Sequence, residues 1–221
     1  MKRIVFCDFD GTITTEDTFV TILRQIVPET CDRILPEIFA RRLTLRDGVR
    51  LLIEEIPTAS YDKIIELSKP YKIRRGFVEF LDFLDAQNIP LVIVSGGLRC
   101  MVETVVGDLR DRLLGLHACE LDRTGEFLQV SSQYEHGNEL MAKVQVIAAY
   151  DCDEAIAIGD SITDLQMALH VPIVFARDRL ANYLDEEYHK PYFAWNDFFD
   201  VRDRLAQYLS KELTPLEGSA H

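Results

Sequence analysis

Four short apolar runs, each ending in polar residues or glycine, constrain the fold of this chain more than any other feature. Segments of helical periodicity lie between the later runs, and such alternation predicts a parallel sheet covered by helices on both faces. We therefore expect an α/β fold with a Rossmann-like sheet. The expected strands are residues 4–8, 91–94, 155–158 and 171–176, and the expected helices are residues 99–106, 139–150 and 161–169.

A long segment without a convincing strand separates the first run from the second. Within residues 13–73, apolar side chains recur at helical spacing, and Thr44 precedes one such pattern as a plausible N-cap. We interpret this segment as a small all-helical cap inserted after the first strand, with a core formed by residues 1–12 and 74–221. The alternative interpretation is that these helices belong to one larger core.

The remaining patterns are weaker. Residues 117–121 and 126–131, joined by the turn-forming residues 122–125, predict a β-hairpin. The tail from Thr214 to His221 is expected to be a frayed end. A basic cluster in the predicted cap is either a solvated helix face or a source of one side chain that reaches a bound ligand. Its members are Arg41, Arg42, Arg46 and Arg50.

Composition excludes several classes of protein. The chain of 221 residues has 24 basic and 37 acidic side chains, which gives a net charge of −13 and argues against binding to nucleic acid or anionic membranes. The apolar runs are far shorter than the ~20 residues of a membrane span, and acidic residues follow the N-terminus too soon for a signal peptide. The five cysteines lack CxxC spacing, so we expect neither a zinc site nor disulfide bonds. Reduced cysteines of this kind predict a cytoplasmic location. A homodimer is possible.

Polar side chains gather where the predicted strands end. In an open parallel sheet these ends face one crevice, and ligands bind there. A helix opening at Glu139 is expected to deliver Lys143 to the same place. The crevice would hold Asp8, Asp10, Thr12, Ser95, Gly96, Asp160 and Asp164.

Four carboxylates in one crevice cannot all remain ionised without compensation. Lys143 offsets one charge, and a divalent cation offsets two more. Mg²⁺ favours a few carboxylates together with water and a substrate phosphate, so we predict a magnesium site formed by Asp8, Asp10 and Asp160. The alternative is that these aspartates only cap helices and turns.

The same residues suggest phosphoryl transfer. A carboxylate such as Asp8 can attack phosphorus in line and form an aspartyl-phosphate, while Asp10 protonates the leaving oxygen and later takes a proton from water. Phosphate oxygens would be bound by the hydroxyl and backbone amides of Thr12, by Ser95, by the N–H of Gly96 and by Lys143. Asp164 would orient a ligand or water. The expected partner is a small phosphorylated metabolite.

Four motifs resemble those of the haloacid dehalogenase-like hydrolase superfamily, in the expected order. They are residues 8–14, residues 95–97, Lys143 and residues 159–164. Within that superfamily, an aspartate at the position of Asp10 is typical of phosphatases and phosphomutases. The helical insert resembles the cap of the phosphoserine-phosphatase-like branch. The resemblance implies a Mg²⁺-dependent phosphoric monoester hydrolase.

A finer resemblance is to the phosphatases of methionine salvage. It rests on residues 43–57, 72–97, 158–164 and 175–178, whereas residues 109–141 match that pattern poorly. The main alternative is a phosphoserine phosphatase, which holds the substrate with a glutamate and a cap arginine. Here those positions correspond to Asp17 and Leu52, and Arg50 would point elsewhere on its helix. A phosphomutase and a catalytically silent binding protein are further alternatives.

Overall fold

A computed structural model describes residues 1–40 and 42–211. Its strands are Arg3–Cys7 (β1), Leu91–Leu98 (β2), Gly115–Asp122 (β3), Gln129–Ser131 (β4), Glu154–Gly159 (β5), Ile173–Ala176 (β6) and Phe193–Ala194 (β7). They form one sheet in the order β4-β3-β2-β1-β5-β6-β7, in which only β4 is antiparallel to its neighbour. The expected frayed tail from Thr214 lies outside the described residues.

Ten α-helices accompany this sheet in the described part of the chain. The predicted α/β fold is therefore confirmed. The helices are Thr18–Ile26 (α1), Pro28–Phe39 (α2), Leu45–Ile53 (α3), Tyr61–Ser68 (α4), Phe77–Gln87 (α5), Arg99–Val106 (α6), Lys143–Ala148 (α7), Leu165–His170 (α8), Asp178–Tyr183 (α9) and Phe198–Leu209 (α10).

Both faces of the sheet are buried. Along β1, Ile4 and Phe6 belong to one apolar cluster, whereas Val5 and Cys7 belong to the other. Helices α7 and α8 pack in the first cluster, and α5 and α10 pack in the second. Burial on both sides explains why β1 is a continuous apolar run rather than an alternating one. None of the helices in the described residues is long and apolar enough to cross a membrane.

Helices α1 to α4 form the helical insert between β1 and α5. The hydroxyl of Thr44 accepts a hydrogen bond from the N–H of Asp47 at 3.0 Å, so the predicted N-cap is confirmed. The insert's apolar residues are continuous with the cluster around Phe6. The division into a core of residues 1–12 and 74–221 and a cap of residues 13–73 therefore stays a prediction.

The predicted helix over residues 139–150 is wrong at both ends. His136 and Glu139 exchange backbone hydrogen bonds of 3.1 and 3.0 Å, which close a tight turn, and Ala142 has an extended backbone. Helix α7 consequently begins at Lys143 and ends at Ala148. Lys143 nevertheless reaches the predicted place, since the helix start itself faces the strand ends.

Several other boundaries differ from expectation. Strand β1 ends at Cys7, β2 continues to Leu98 instead of ending at residue 94, and α8 spans Leu165–His170 rather than residues 161–169. Strand β6 begins at Ile173 rather than Val171, because the N–H of Val171 bonds to the carbonyl of Met167 at the end of α8 and Pro172 has no N–H to donate. The predicted hairpin exists as β3 and β4, but β3 also pairs with β2 and so extends the main sheet. Strand β7 and helices α2 and α9 are not predicted by the sequence patterns.

Candidate active site

The carboxyl ends of the central strands lie side by side. Cys7, the last residue of β1, is opposite both Ile93 of β2 and Ile158 of β5. The backbone N–H of Asp8 then donates to the carbonyl of Ile158 at 2.9 Å. This register places Asp8 and Asp160, which follow neighbouring strands, at one edge of the sheet.

Lys143 bridges two buried carboxylates. Its Nζ donates to Oδ1 of Asp8 at 2.5 Å and to Oδ1 of Asp164 at 2.6 Å, and the lysine is only 2% exposed. The other oxygen of Asp164 accepts hydrogen bonds from the N–H groups of Asp160 and Ser161, each at 3.0 Å. Asp164 thus orients Lys143 and the turn after β5 at the same time.

The electrostatics of this cluster follow from its burial. Burial and the charge of Asp164 raise the pKa of Asp8, against the opposing effect of Lys143. Burial alone would lower the pKa of Lys143, but Asp164 and Asp8 outweigh it and raise that pKa. Burial and Asp164 raise the pKa of Asp160 to about 7. One lysine therefore does not neutralise the three carboxylates, and a divalent cation would supply the missing positive charge.

Carboxylate oxygens of Asp8, Asp160 and Asp164 lie within 4.8 Å of one another, close enough to share an ion. Hard oxygen ligands of this kind suit Mg²⁺. Since Asp164 already binds Lys143 and two backbone N–H groups, Asp8 and Asp160 are the better candidates for ligands. A side chain at Gly11, where φ is +79°, would place its Cβ 2.4 Å from Asp160 Oδ2, so glycine is needed beside this site.

Asp10 is held apart from that group. Its Oδ1 accepts hydrogen bonds from the N–H groups of Thr18 and Phe19, at 2.9 and 3.2 Å, and from the Thr18 hydroxyl. Burial and the charge of Asp17 raise the pKa of Asp10 to about 6. A Cβ at Gly97 would lie 2.7 Å from Asp10 Oδ2, so this oxygen is next to the end of β2. The role of Asp10 as a metal ligand stays a prediction.

The predicted phosphate-binding residues Thr12, Ser95 and Gly96 lie near the aspartates, at the carboxyl ends of β1 and β2. The Ser95 hydroxyl is fully buried and accepts a hydrogen bond from the N–H of Gly97 at 2.9 Å. Gly96 has open space where a side chain would be. The hydroxyl of Thr12 donates to Asp160 Oδ1 at 3.1 Å, so it orients this carboxylate rather than facing the cavity. The predicted phosphate contacts of these residues remain untested.

A cavity of about 710 Å³ joins the strand ends to the helical insert. We call its polar end the floor; this end contains Asp8, Asp10, Lys143 and Asp160. We call the opposite, apolar wall the roof; α2, α3 and the loop between them provide it. The roof consists of Leu35, Ile38, Leu43, Leu45, Val49 and Leu52.

The three described members of the basic cluster predicted in the insert do not converge on the floor. Arg42 lines the cavity, but its guanidinium makes two hydrogen bonds of 2.7 Å to Glu37. Arg46 and Arg50 donate to the carbonyl of Gly137 and to Glu135, at 2.8 and 2.7 Å. The fourth member, Arg41, lies outside the described residues. Arg50 points away from the cavity, as expected.

Three residues near the floor are missing from the sequence prediction. Thr18 binds Asp10, Arg74 donates to the backbone of the loop after β1, and Glu139 lines the cavity. None of them belongs to a recognisable motif, and each reaches the site from a different segment of the chain. Only the tertiary structure reveals them.

Residues 5–169 match the haloacid dehalogenase-like hydrolase family, and this chain belongs to that family. The prediction that it is a phosphoric monoester hydrolase is confirmed. Two relatives are 2-hydroxy-3-keto-5-methylthiopentenyl-1-phosphate phosphatases. The one from Microcystis aeruginosa (strain NIES-843 / IAM M-2473) is 46% identical over 207 residues, which cover 93% of this chain and 98% of that protein. The one from Bacillus cereus (strain AH187) is 34% identical over 221 residues, covering 96% and 100%.

Solved structures with the same fold include phosphoserine phosphatases. A phospho-aspartyl intermediate analogue has a TM-score of 0.68 at 21% identity and covers 93% of this chain and 98% of that chain. A substrate-bound complex has a TM-score of 0.66 at 19% identity, with the same coverage. At these identities the similarity shows the fold alone.

Proposed function

We propose that this chain is a Mg²⁺-dependent phosphatase that hydrolyses 2-hydroxy-3-keto-5-methylthiopentenyl-1-phosphate through an aspartyl-phosphate on Asp8. The observation that carries the proposal is the division of one cavity into a charged floor and an apolar roof. The substrate has a matching division, since its phosphate is at one end and its methylthio group at the other. Cavities bind ligands through such an apolar lining with a few placed polar groups.

The roof favours this substrate over phosphoserine. The carboxylate of phosphoserine needs a cationic partner. Arginine suits this role because its guanidinium can donate two parallel hydrogen bonds to one carboxylate. The corresponding position of the insert is Leu52, which is fully buried in the roof, while Arg50 is paired with Glu135. The relatives at 46% and 34% identity are named for the methylthio substrate.

Asp8 and Asp160 would hold Mg²⁺, and Asp164 would fix their surroundings. Asp10 would contribute a further ligand through its backbone carbonyl, which leaves its carboxyl group free to act as the acid. The bound ion would neutralise the carboxylates and polarise a phosphoryl oxygen. We further propose that residues 13–73 act as a cap that closes over the bound ester and excludes bulk water.

In the first step, Asp8 Oδ2 forms a bond to phosphorus while the bond from phosphorus to the ester oxygen breaks. The electron pair of the broken bond goes to the leaving oxygen, which takes a proton from Asp10. Lys143 binds Oδ1 of Asp8 at 2.5 Å, which leaves Oδ2 as the attacking oxygen. Ser95, Gly96 and Lys143 hold the phosphoryl oxygens as charge develops on them.

In the second step, water attacks the phosphorus of the aspartyl-phosphate. The carboxylate of Asp10 takes the proton from this water, and the bond from phosphorus to Asp8 breaks. Inorganic phosphate is released and Asp8 is regenerated as a carboxylate. Thr12 keeps Asp160 in place throughout, through its hydrogen bond of 3.1 Å.

A phosphate-release assay on two esters tests the proposed function. We expect kcat/KM for the methylthiopentenyl ester to exceed that for phosphoserine by about 100-fold, because the serine carboxylate would lie against the apolar roof with Leu52 at the position of the carboxylate-binding arginine. EDTA should abolish the activity and added Mg²⁺ should restore it. A preference for phosphoserine would overturn the substrate assignment, and full activity in metal-free buffer would overturn the metal site.

A further inference from the structure

The loop after β1 leaves several buried carbonyls without helical partners. Residues 9–13 form a single irregular turn in which Asp10 has ψ of 118° and Gly11 has φ of 79°, so the backbone is not helical there. Thr12 and Thr14 are fully buried. Buried carbonyls require hydrogen-bond donors. The N–H of Thr14 bonds to the carbonyl of Phe9 at 3.0 Å within the loop, whereas the carbonyls of Gly11, Thr12 and Thr14 accept hydrogen bonds from outside it.

Arg74 supplies these donors. Its Nε donates to the carbonyl of Thr12 at 2.8 Å, and its Nη2 donates to the carbonyls of Gly11 and Thr14 at 2.6 and 3.0 Å. Its Nη1 lies 3.5 Å from the carbonyl of Asn196. The rigid planar fork of a guanidinium suits such a set of acceptors, whereas a lysine ammonium is a single point of charge. Although Arg74 lines the cavity, its guanidinium is directed at the protein backbone.

The charge of Arg74 is destabilised by burial and by a second arginine, Arg177, which contacts the same aromatic ring. Its guanidinium carbon lies 5.4 Å from the centre of the Trp195 ring, and that of Arg177 lies 5.0 Å from the same ring. Burial and the charge of Arg177 lower the pKa of Arg74. The indole face and the loop carbonyls offset this cost by stabilising the cation.

The loop that Arg74 holds also carries Asp10. The Oδ1 atom of Asp10 accepts hydrogen bonds from the N–H groups of Thr18 and Phe19 at the start of α1. Arg74 lies in the segment that connects the end of the insert to α5. Its backbone N–H donates to the carbonyl of Ile13 at 2.6 Å. One residue therefore connects the returning segment of the insert to the loop that carries Asp10.

We infer that Arg74 is a positioning residue that holds the loop of residues 9–14 so that Asp10 reaches the leaving-group oxygen. The inference rests on the proposed function, because it takes Asp10 as the acid that protonates this oxygen. It assigns Arg74 no contact with the ester. A guanidinium that instead bound the phosphate would affect every phosphate ester alike.

A comparison of two esters of similar shape tests this inference. Phenyl phosphate needs protonation of its basic leaving oxygen, whereas p-nitrophenyl phosphate has a weakly basic leaving group that departs without an acid. For Arg74→Ala we expect kcat/KM for phenyl phosphate to fall about 100-fold, the size of effect that a misplaced catalytic group produces. The fall for p-nitrophenyl phosphate should be about 10-fold or less. Arg74→Lys keeps the charge and should show the same difference between esters, which makes it the test variant if the alanine variant does not fold.

Two controls complete the experiment. Arg75→Gln removes the adjacent arginine, which is 81% exposed and 4.0 Å from Asp197, and should leave both esters unaffected. Asp10→Asn should show the larger loss on phenyl phosphate directly. If Asp10→Asn shows the difference and the Arg74 variants lose equal activity on both esters, the positioning role is wrong. If Asp10→Asn shows no difference, the acid role in the proposed function is wrong, and the inference falls with it.

Discussion

The floor and the roof of the cavity are built in opposite ways. On the floor, Lys143 is bonded to Asp8 and Asp164 at 2.5 and 2.6 Å, and Asp10 is fixed by the start of α1. The roof consists of aliphatic side chains from the insert, which pack without directional bonds. Directional bonds position reacting atoms, whereas apolar contacts select by shape and polarity. The comparison indicates that the chemistry depends on the floor and the choice of ester on the roof.

The floor and the roof should also differ in how well they tolerate amino-acid substitutions. A charge removed from the floor leaves another buried charge without its partner, and such losses are severe. A partly exposed roof side chain such as Val49 has no ionic partner to lose, so a polar substitution there should cost less stability. Substitutions on the floor should therefore affect catalysis or folding on every ester, with the leaving group deciding the size of the effect for Asp10. Substitutions in the roof should instead distinguish esters by the shape and polarity of their organic part.

The largest effect should come from Asp8→Asn. The amide oxygen can still accept a hydrogen bond from Lys143, so the fold should persist, but an amide is not a nucleophile. We expect phosphate release to fall by at least ~10⁴-fold on every ester tested, as when a covalent nucleophile is removed. The assay uses both the methylthiopentenyl ester and p-nitrophenyl phosphate.

Asp111→Asn, at an exposed position, provides the matched control and should retain full activity. Circular dichroism of both variants checks that they are folded. Substantial turnover by a folded Asp8→Asn variant would mean that another group attacks phosphorus, and the account of the floor would be wrong.

The floor could be predicted from the sequence, whereas the assembly of the roof could not. Asp8 and Asp160 directly follow apolar strands, and parallel strands bring their ends together whatever the rest of the chain does. The roof depends on how α2 and α3 pack, and helix α2, which carries Leu35 and Ile38, has no clear sequence signal. Even on the floor, the helix of Lys143 begins four residues later than expected, because the turn from His136 to Glu139 depends on backbone pairing.

The second-largest effect should be a loss of folding stability when Lys143 is replaced. Lys143→Met removes the cation from between Asp8 and Asp164, both of which are buried. Breaking one partner of a buried ion pair costs about 3–5 kcal/mol, so the free energy of unfolding in urea should fall by about that amount in metal-free buffer. Lys63→Met, at an exposed position, is the matched control and should have little effect. Equal stability of the two variants would show that the floor does not depend on this ion pair.

The smallest effect should come from the roof. Val49 is half-buried and lines the cavity, and Val49→Thr keeps the shape while adding a hydroxyl that weakens the apolar wall. We expect kcat/KM for the methylthiopentenyl ester to fall about 10-fold, in the range by which apolar pockets discriminate small groups. The value for phosphoserine should not fall, since its polar end gains nothing from an apolar wall. Leu51→Thr, on the same helix but 41% exposed, should change neither value. An equal fall on both esters for Val49→Thr would mean that the roof supports catalysis in general, and the separation between floor and roof would no longer hold.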